Sequence, residues 1–108
     1  MQDTQLQALY DLIKDRKTGD PEGSYVAKLY SKGLEKIAEK VGEEAVETLI
    51  AALKQGREKT ILESADLLFH LMILWAELDI TPDDVMAELE RREGVSGLVE
   101  KANRKGDG

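Results

Sequence analysis

Two short clusters of carboxylates, both on segments that read as helix, carry the chemistry this sequence suggests. The first is Glu43-Glu44-x-x-Glu47; the second, with fifteen residues between, is Glu63-x-x-Asp66. Residues three or four apart share a helix face, so Glu43 and Glu44 lie near Glu47, and Glu63 lies near Asp66. A short connection between two helices favours an antiparallel pair, and in such a pair the clusters meet. Like charges at this spacing repel, and a divalent cation would offset the repulsion. Oxygen-only ligands suit a hard cation, Mg²⁺ or Mn²⁺. Magnesium keeps several waters and binds substrate phosphates, which implies phosphoryl or pyrophosphoryl transfer. A carboxylate outside the coordination shell could then act as general base.

Taken alone, the first cluster reads more readily as a solvated helix face, because glutamate is a good helix former. The second resists that reading. Glu63 and Asp66 adjoin residues 67–76, which are apolar apart from His70. They therefore project from a helix expected to be buried on most sides, where an unpaired ionised carboxylate is strongly destabilising. Lys59 is spaced to pair with Glu63, but the positions three and four away from Asp66 hold Leu62, Glu63, Phe69 and His70. His70, one turn after Asp66, reads as a ligand, as a partner orienting Asp66, or as a satisfied core residue. Lys36 and Lys40 precede the first cluster on a similar face. They could hold phosphate oxygens or simply pair with Glu39, Glu43 and Glu44.

The elements that must position these groups follow from apolar periodicity. Leu6, Leu9, Tyr10, Leu12 and Ile13 predict a helix over residues 4–14, with Asp3 or Thr4 as N-cap. Residues 15–24 are rich in turn formers and read as a binding loop or a connector. Ser24 can cap a short helix over 25–31, and Gly33 marks a break. The first core helix spans about 34–55, with Leu34, Ile37, Val41, Ala45, Thr48 and Ala52 on one side and Leu49 and Leu53 broadening it. Gly42 within it costs about 1 kcal/mol relative to alanine, so a close approach or a tolerated defect is implied. After the break at Gly56, the second core helix spans about 58–78 and is central to a bundle or to an interface between subunits. Thr81 and Pro82 open a last helix to about residue 93, and the tail 94–108 is expected to fray.

Composition sets the outer limits. With 108 residues, 42% hydrophobic and 34% charged, the chain fits one soluble globular domain over residues 1–108. Having no cysteine excludes thiolate metal sites and thiol catalysis, and a single histidine excludes a multi-histidine zinc site within one chain. A net charge of −7 argues against nucleic acid as a partner. The N-terminus shows no basic-then-apolar signal pattern, and no apolar run reaches the roughly 18–20 residues of a membrane span. The expectation is a cytoplasmic protein with no membrane partner.

In order, Ser24-Tyr25, Lys36-Ile37, Lys40-Val41-Gly42-Glu43-Glu44-Ala45-Val46-Glu47, Ala65-Asp66-Leu67-Leu68-Phe69-His70-Leu71, Glu88-Leu89-Glu90-Arg91-Arg92 and Ser96-Gly97-Leu98 form a pattern. It resembles the phosphoribosyl-ATP pyrophosphohydrolases, within the all-α, MazG-like nucleoside triphosphate pyrophosphohydrolase superfamily. The likeness implies an all-α helical bundle completed by homodimerisation. It implies Mg²⁺-dependent hydrolysis of phosphoribosyl-ATP to phosphoribosyl-AMP and pyrophosphate, the second step of histidine biosynthesis, with Mn²⁺ able to substitute. By motif position Glu44, Glu47, Glu63 and Asp66 would hold the metal, with Glu43 as base or additional ligand. Lys36 and Lys40, together with Ser24 and Tyr25, would contact substrate. Phe69 stands where the family often has tyrosine. The cyclohydrolase that is fused to this domain in some organisms needs a zinc site, for which this chain has neither length nor ligands.

Three other readings compete. A house-cleaning pyrophosphohydrolase acting on ordinary or damaged nucleoside triphosphates would share the metal motif. A carboxylate-bridged di-iron bundle needs Glu-x-x-His pairs, and the sequence contains none. A non-enzymatic helical dimerisation module would leave the acidic face merely solvated.

Overall fold

The structure, a computed structural model, describes residues 4–93. It is all-α, as the periodicity predicts: α1 Thr4–Arg16, α2 Tyr25–Lys32, α3 Leu34–Ile50, α4 Arg57–Glu77 and α5 Pro82–Arg92. The Asp3 cap, the tail 94–108 and the Ser96-Gly97-Leu98 segment lie outside the described residues.

The framework is the hairpin of α3 and α4, joined through a π-turn, Ala51–Gln55. Here the predicted helix over 34–55 is corrected. It is α-helical to Ile50 and then widens, so that the Gly56 N–H donates to the Ala51 carbonyl five residues back at 3.1 Å. Gly56 adopts φ 92°, ψ 177° and Gly33 adopts φ 95°, ψ 169°, a region essentially restricted to glycine. Each glycine carbonyl accepts the first bond of the helix that follows, from Ile37 N–H at 3.2 Å and Thr60 N–H at 3.1 Å.

Side-chain caps set the shorter helices. Ser24 Oγ accepts from Ala27 N–H at 3.2 Å and starts α2. Thr81 and Asp84 bond each other's backbone N–H at 3.1 and 2.9 Å, with Pro82 in the first position of α5. The loop before α2 begins after Arg16, two residues later than the composition suggests, because α1 runs further. It is held by turns, Gly19 N–H to Arg16 O and Gly23 N–H to Asp20 O, both 3.0 Å.

The core lies at one end of the hairpin, where α1 and α2 cover the first half of α3 and the second half of α4. Tyr10, Ile13, Val26, Leu29, Ile37, Met72, Ile73 and Ala76 fill it. The Tyr30 hydroxyl donates to the Ile73 carbonyl at 2.6 Å and locks α2 onto α4.

The apolar stripe expected on α3 needs correction. The inner line is Ile37, Glu44 and Ala51, while Leu49, Ala52 and Leu53 face outward. Positions seven apart drift by only about 20° on a straight helix, so the carboxylate shares the buried line with two apolar residues. On α4, likewise, Ile61, Leu62 and Leu68 are exposed rather than covered. Glu63 and His70, both buried, mark its inner face with Met72, Ile73 and Ala76.

Candidate active site

Glu44 from α3 and Glu63 and Asp66 from α4 each place a carboxylate oxygen within 4.8 Å of the others. The hairpin thus brings together the second residue of one acidic cluster and both residues of the other. Glu44 and Glu63 are only 7% exposed, and Asp66 sits at the open rim. Glu63 Oε2 meets the Lys59 ammonium at 3.5 Å. Glu63 Oε1 and Glu44 Oε2 are buried with no hydrogen-bond partner among the described residues. Buried ionised oxygens left unpaired are strongly destabilising. Burial, then the neighbouring Glu47 carboxylate, and further on Asp66, push the Glu44 carboxyl above its ordinary value, with His70 and Lys40 opposing. The donor set is all oxygen and anionic, the chemistry of a hard divalent cation.

Glu47 and Glu43 stand outside this close trio. Both are exposed. Glu47 is one turn beyond Glu44 and close enough to influence its ionisation. Glu43 accepts from Lys40 Nζ at 3.3 Å, and Lys36 pairs with Glu39 at 3.2 Å. The pairing alternative for the two lysines is therefore the one populated here, through exposed bonds that contribute little. Ser24 Oγ is occupied as an acceptor by its capping role, leaving its O–H free to donate. Arg91 and Arg92 close on Glu88 with bonds of 2.6–3.0 Å, which pulls the Glu88 carboxyl down to about 2.

His70 takes neither of the metal-ligand roles its spacing allowed. Its Nδ1 lies 2.8 Å from the carbonyl of Asp66 and its Nε2 lies 2.7 Å from the hydroxyl of Tyr25. Both ring nitrogens are spent, so it touches Asp66 through the backbone and not the carboxylate. Tyr25, half-exposed at the start of α2, leans on Phe69 with ring centroids 6.5 Å apart and meets His70 edge-on at 5.7 Å. This aromatic platform joins α2 to the acidic face of α4. Helical periodicity had no access to it, since Tyr25 and His70 are 45 residues apart.

A model of the family described as phosphoribosyl-ATP pyrophosphohydrolase matches residues 6–93 of this chain. Curated relatives carry the name phosphoribosyl-ATP pyrophosphatase. One from Rhizorhabdus wittichii is 57% identical over 99 residues, covering 92% of this chain and 93% of its own. One from Geobacter sulfurreducens is 54% identical over 99 residues, covering 92% of each. One from Paramagnetospirillum magneticum is 52% identical over 99 residues, covering 92% of this chain and 91% of its own. Likeness of that degree over nine-tenths of both partners, on a hairpin that gathers Glu44, Glu63 and Asp66, shows that this chain belongs to the phosphoribosyl-ATP pyrophosphohydrolase family.

Proposed function

We propose that this single domain hydrolyses the α–β phosphoanhydride of phosphoribosyl-ATP. The products are phosphoribosyl-AMP and pyrophosphate, and the reaction is the second step of histidine biosynthesis. The family match supports the substrate, and one structural observation carries the chemistry. Two buried carboxylate oxygens, Glu44 Oε2 and Glu63 Oε1, lack partners beside a third carboxylate, Asp66. Such oxygens fit Mg²⁺, or Mn²⁺ in its place, held by Glu44, Glu63 and Asp66 with Glu47 reaching in from the rim. The cation would supply Lewis-acid stabilisation of charge developing on the phosphoryl oxygens.

The chain's own residues do the rest. Lys36 and Lys40 exchange their exposed carboxylate partners for phosphate oxygens, which bear more charge. Once Lys40 turns to substrate, Glu43 is released and takes the proton of the attacking water as general base. The Ser24 hydroxyl donates to a phosphate oxygen from the start of α2.

The partner is a second copy of the chain. Gly42, Val46, Leu49 and Leu53 recur at alternating four- and three-residue steps along α3, and Ile61, Leu62 and Leu68 extend the exposed apolar surface on α4. Leu53 is 82% exposed. A two-helix face of this kind pairs with itself as a four-helix bundle. Among the described residues no helix is long and apolar enough to cross a membrane, and the proposed location is the cytoplasm.

The test is pyrophosphate release by the purified protein with Mg²⁺, comparing phosphoribosyl-ATP with ATP and dUTP and adding EDTA as control. Selective, EDTA-sensitive release from phosphoribosyl-ATP is expected. Release mainly from ATP or dUTP would assign the chain to the house-cleaning enzymes. Release from none would leave a dimerisation module.

A further inference from the structure

The acidic centre and its lysines leave one polar pair without a role: the buried imidazole of His70 and the phenol of Tyr25. The Asp66 carbonyl can only accept, so His70 Nδ1 carries the proton of that 2.8 Å bond. In the neutral ring Nε2 is then a pure acceptor, and the hydrogen of the 2.7 Å contact must come from Tyr25. A phenol keeps its hydrogen at neutral pH, and burial of Tyr25 favours the neutral form further.

With its one hydrogen directed inward, the Tyr25 oxygen has only lone pairs left for the site. A phosphate oxygen, itself an acceptor, gains nothing there. The Lys40 ammonium close by has the opposite character, with donors only. The two side chains therefore divide the ligand between them, donor groups to Tyr25 and phosphate oxygens to Lys40.

We propose that His70 is a positioning residue that turns the Tyr25 hydroxyl into an obligate acceptor, and that Tyr25 thereby selects a hydrogen-bond donor on the ligand. Two sources have that chemistry: a sugar hydroxyl of the nucleotide and a hydration water of the cation. This assignment rests on the reaction and cation site proposed above for the KM and Mn²⁺ readouts, and the NMR readout is independent of both.

Two experiments test it on the full chain. The first is ¹⁵N NMR of the imidazole, unambiguous because the sequence has one histidine. Protonated Nδ1 with unprotonated Nε2 at neutral pH is the expected result; protonated Nε2 would overturn the proposal, whether or not the protein turns over phosphoribosyl-ATP. The second compares Tyr25→Phe, His70→Gln and the double variant by steady-state kinetics and by Mn²⁺ binding in electron paramagnetic resonance. Tyr25→Phe keeps the ring on Phe69 and should fold even if His70→Gln does not. If the donor is a sugar hydroxyl, Tyr25→Phe raises KM roughly three- to tenfold with kcat nearly unchanged, the range of one hydrogen bond, and Mn²⁺ affinity holds. If it is a hydration water, Mn²⁺ affinity falls by a similar factor. In either case the double variant is no worse than Tyr25→Phe, because His70 acts through Tyr25. Unchanged KM together with unchanged Mn²⁺ affinity, or additive losses in the double variant, would overturn it.

Discussion

At Glu44 the requirements of folding and of the proposed metal site oppose each other. The side chain occupies the buried line of α3 between Ile37 and Ala51, where an apolar residue would pack, and one of its oxygens has no partner. Without metal, Glu44→Gln should raise Tm at neutral pH by a few degrees, measured by thermal unfolding, because it removes a buried charge beside Glu47 and Asp66. The pH dependence has a definite sign. The folded-state value lies above the ordinary 4.5, so between the two values the group takes up a proton on folding. Its stabilisation is fully present below 4.5 and is lost as pH rises through the higher folded value. The wild type should show that decline, and the Gln variant should not. Adding Mg²⁺ should reverse the order in the same unfolding measurement: at a hundred times Kd the wild type would gain about 2.7 kcal/mol, while Glu44→Gln and Glu63→Gln would gain little. Asp66→Asn, at the exposed rim, should retain helical circular dichroism and lose at least roughly a hundredfold in turnover, the upper end of what losing even a supporting partner does.

At the scale of elements, the α3–α4 hairpin depends on how its connection is made. Gly56 sits at φ 92° just past the π-turn, where a side chain is strained although open space surrounds it. Gly56→Ala should therefore lower stability by about 1–3 kcal/mol in urea unfolding, with the slope unchanged. Gly42 differs. An added Cβ there meets nothing within 4 Å, and its backbone is ordinary helix. In a monomeric background Gly42→Ala should stabilise by about 1 kcal/mol, the helix-propensity difference. Packing within the chain thus gives no reason for glycine at 42; the dimer proposed above would give one, since Gly42 lies in line with Val46, Leu49 and Leu53.

For the whole molecule, one chain covers only half of its own hairpin. The core of α1 and α2 closes the end that holds Ile37 and Ile73, and the opposite end leaves Leu49, Leu53, Ile61 and Leu62 in water. Apolar area buried in the proposed dimer would be worth roughly 25 cal/mol per Å², enough to favour association of two such faces. Leu53→Asp would bury an unpaired charge in that contact. Sedimentation should show the dimer weakened by roughly a hundredfold or more, about 3 kcal/mol, with helicity retained because Leu53 touches little within its own chain.

What the sequence determined by itself was local and periodic. The number and order of the helices, the Ser24 and Thr81 caps, and the grouping of Glu63 with Asp66 all follow from residues within one or two turns, whereas the ends of α1 and α3 did not. The antiparallel hairpin was legible as well, because its connection is short. Only the tertiary structure decided which oxygens converge and which are orphaned, since that depends on the rotation of α3 against α4. A stripe of apolar residues constrains that rotation only loosely, and so the outward turn of Leu49 and Leu53 was not readable. It also decided the role of His70. Spacing along α4 allowed a metal ligand, but the Nε2 partner comes from Tyr25, on a helix whose placement is set by burying Val26 and Leu29 in a shared core. Contacts between distant segments arise from that packing, and no local pattern encodes them.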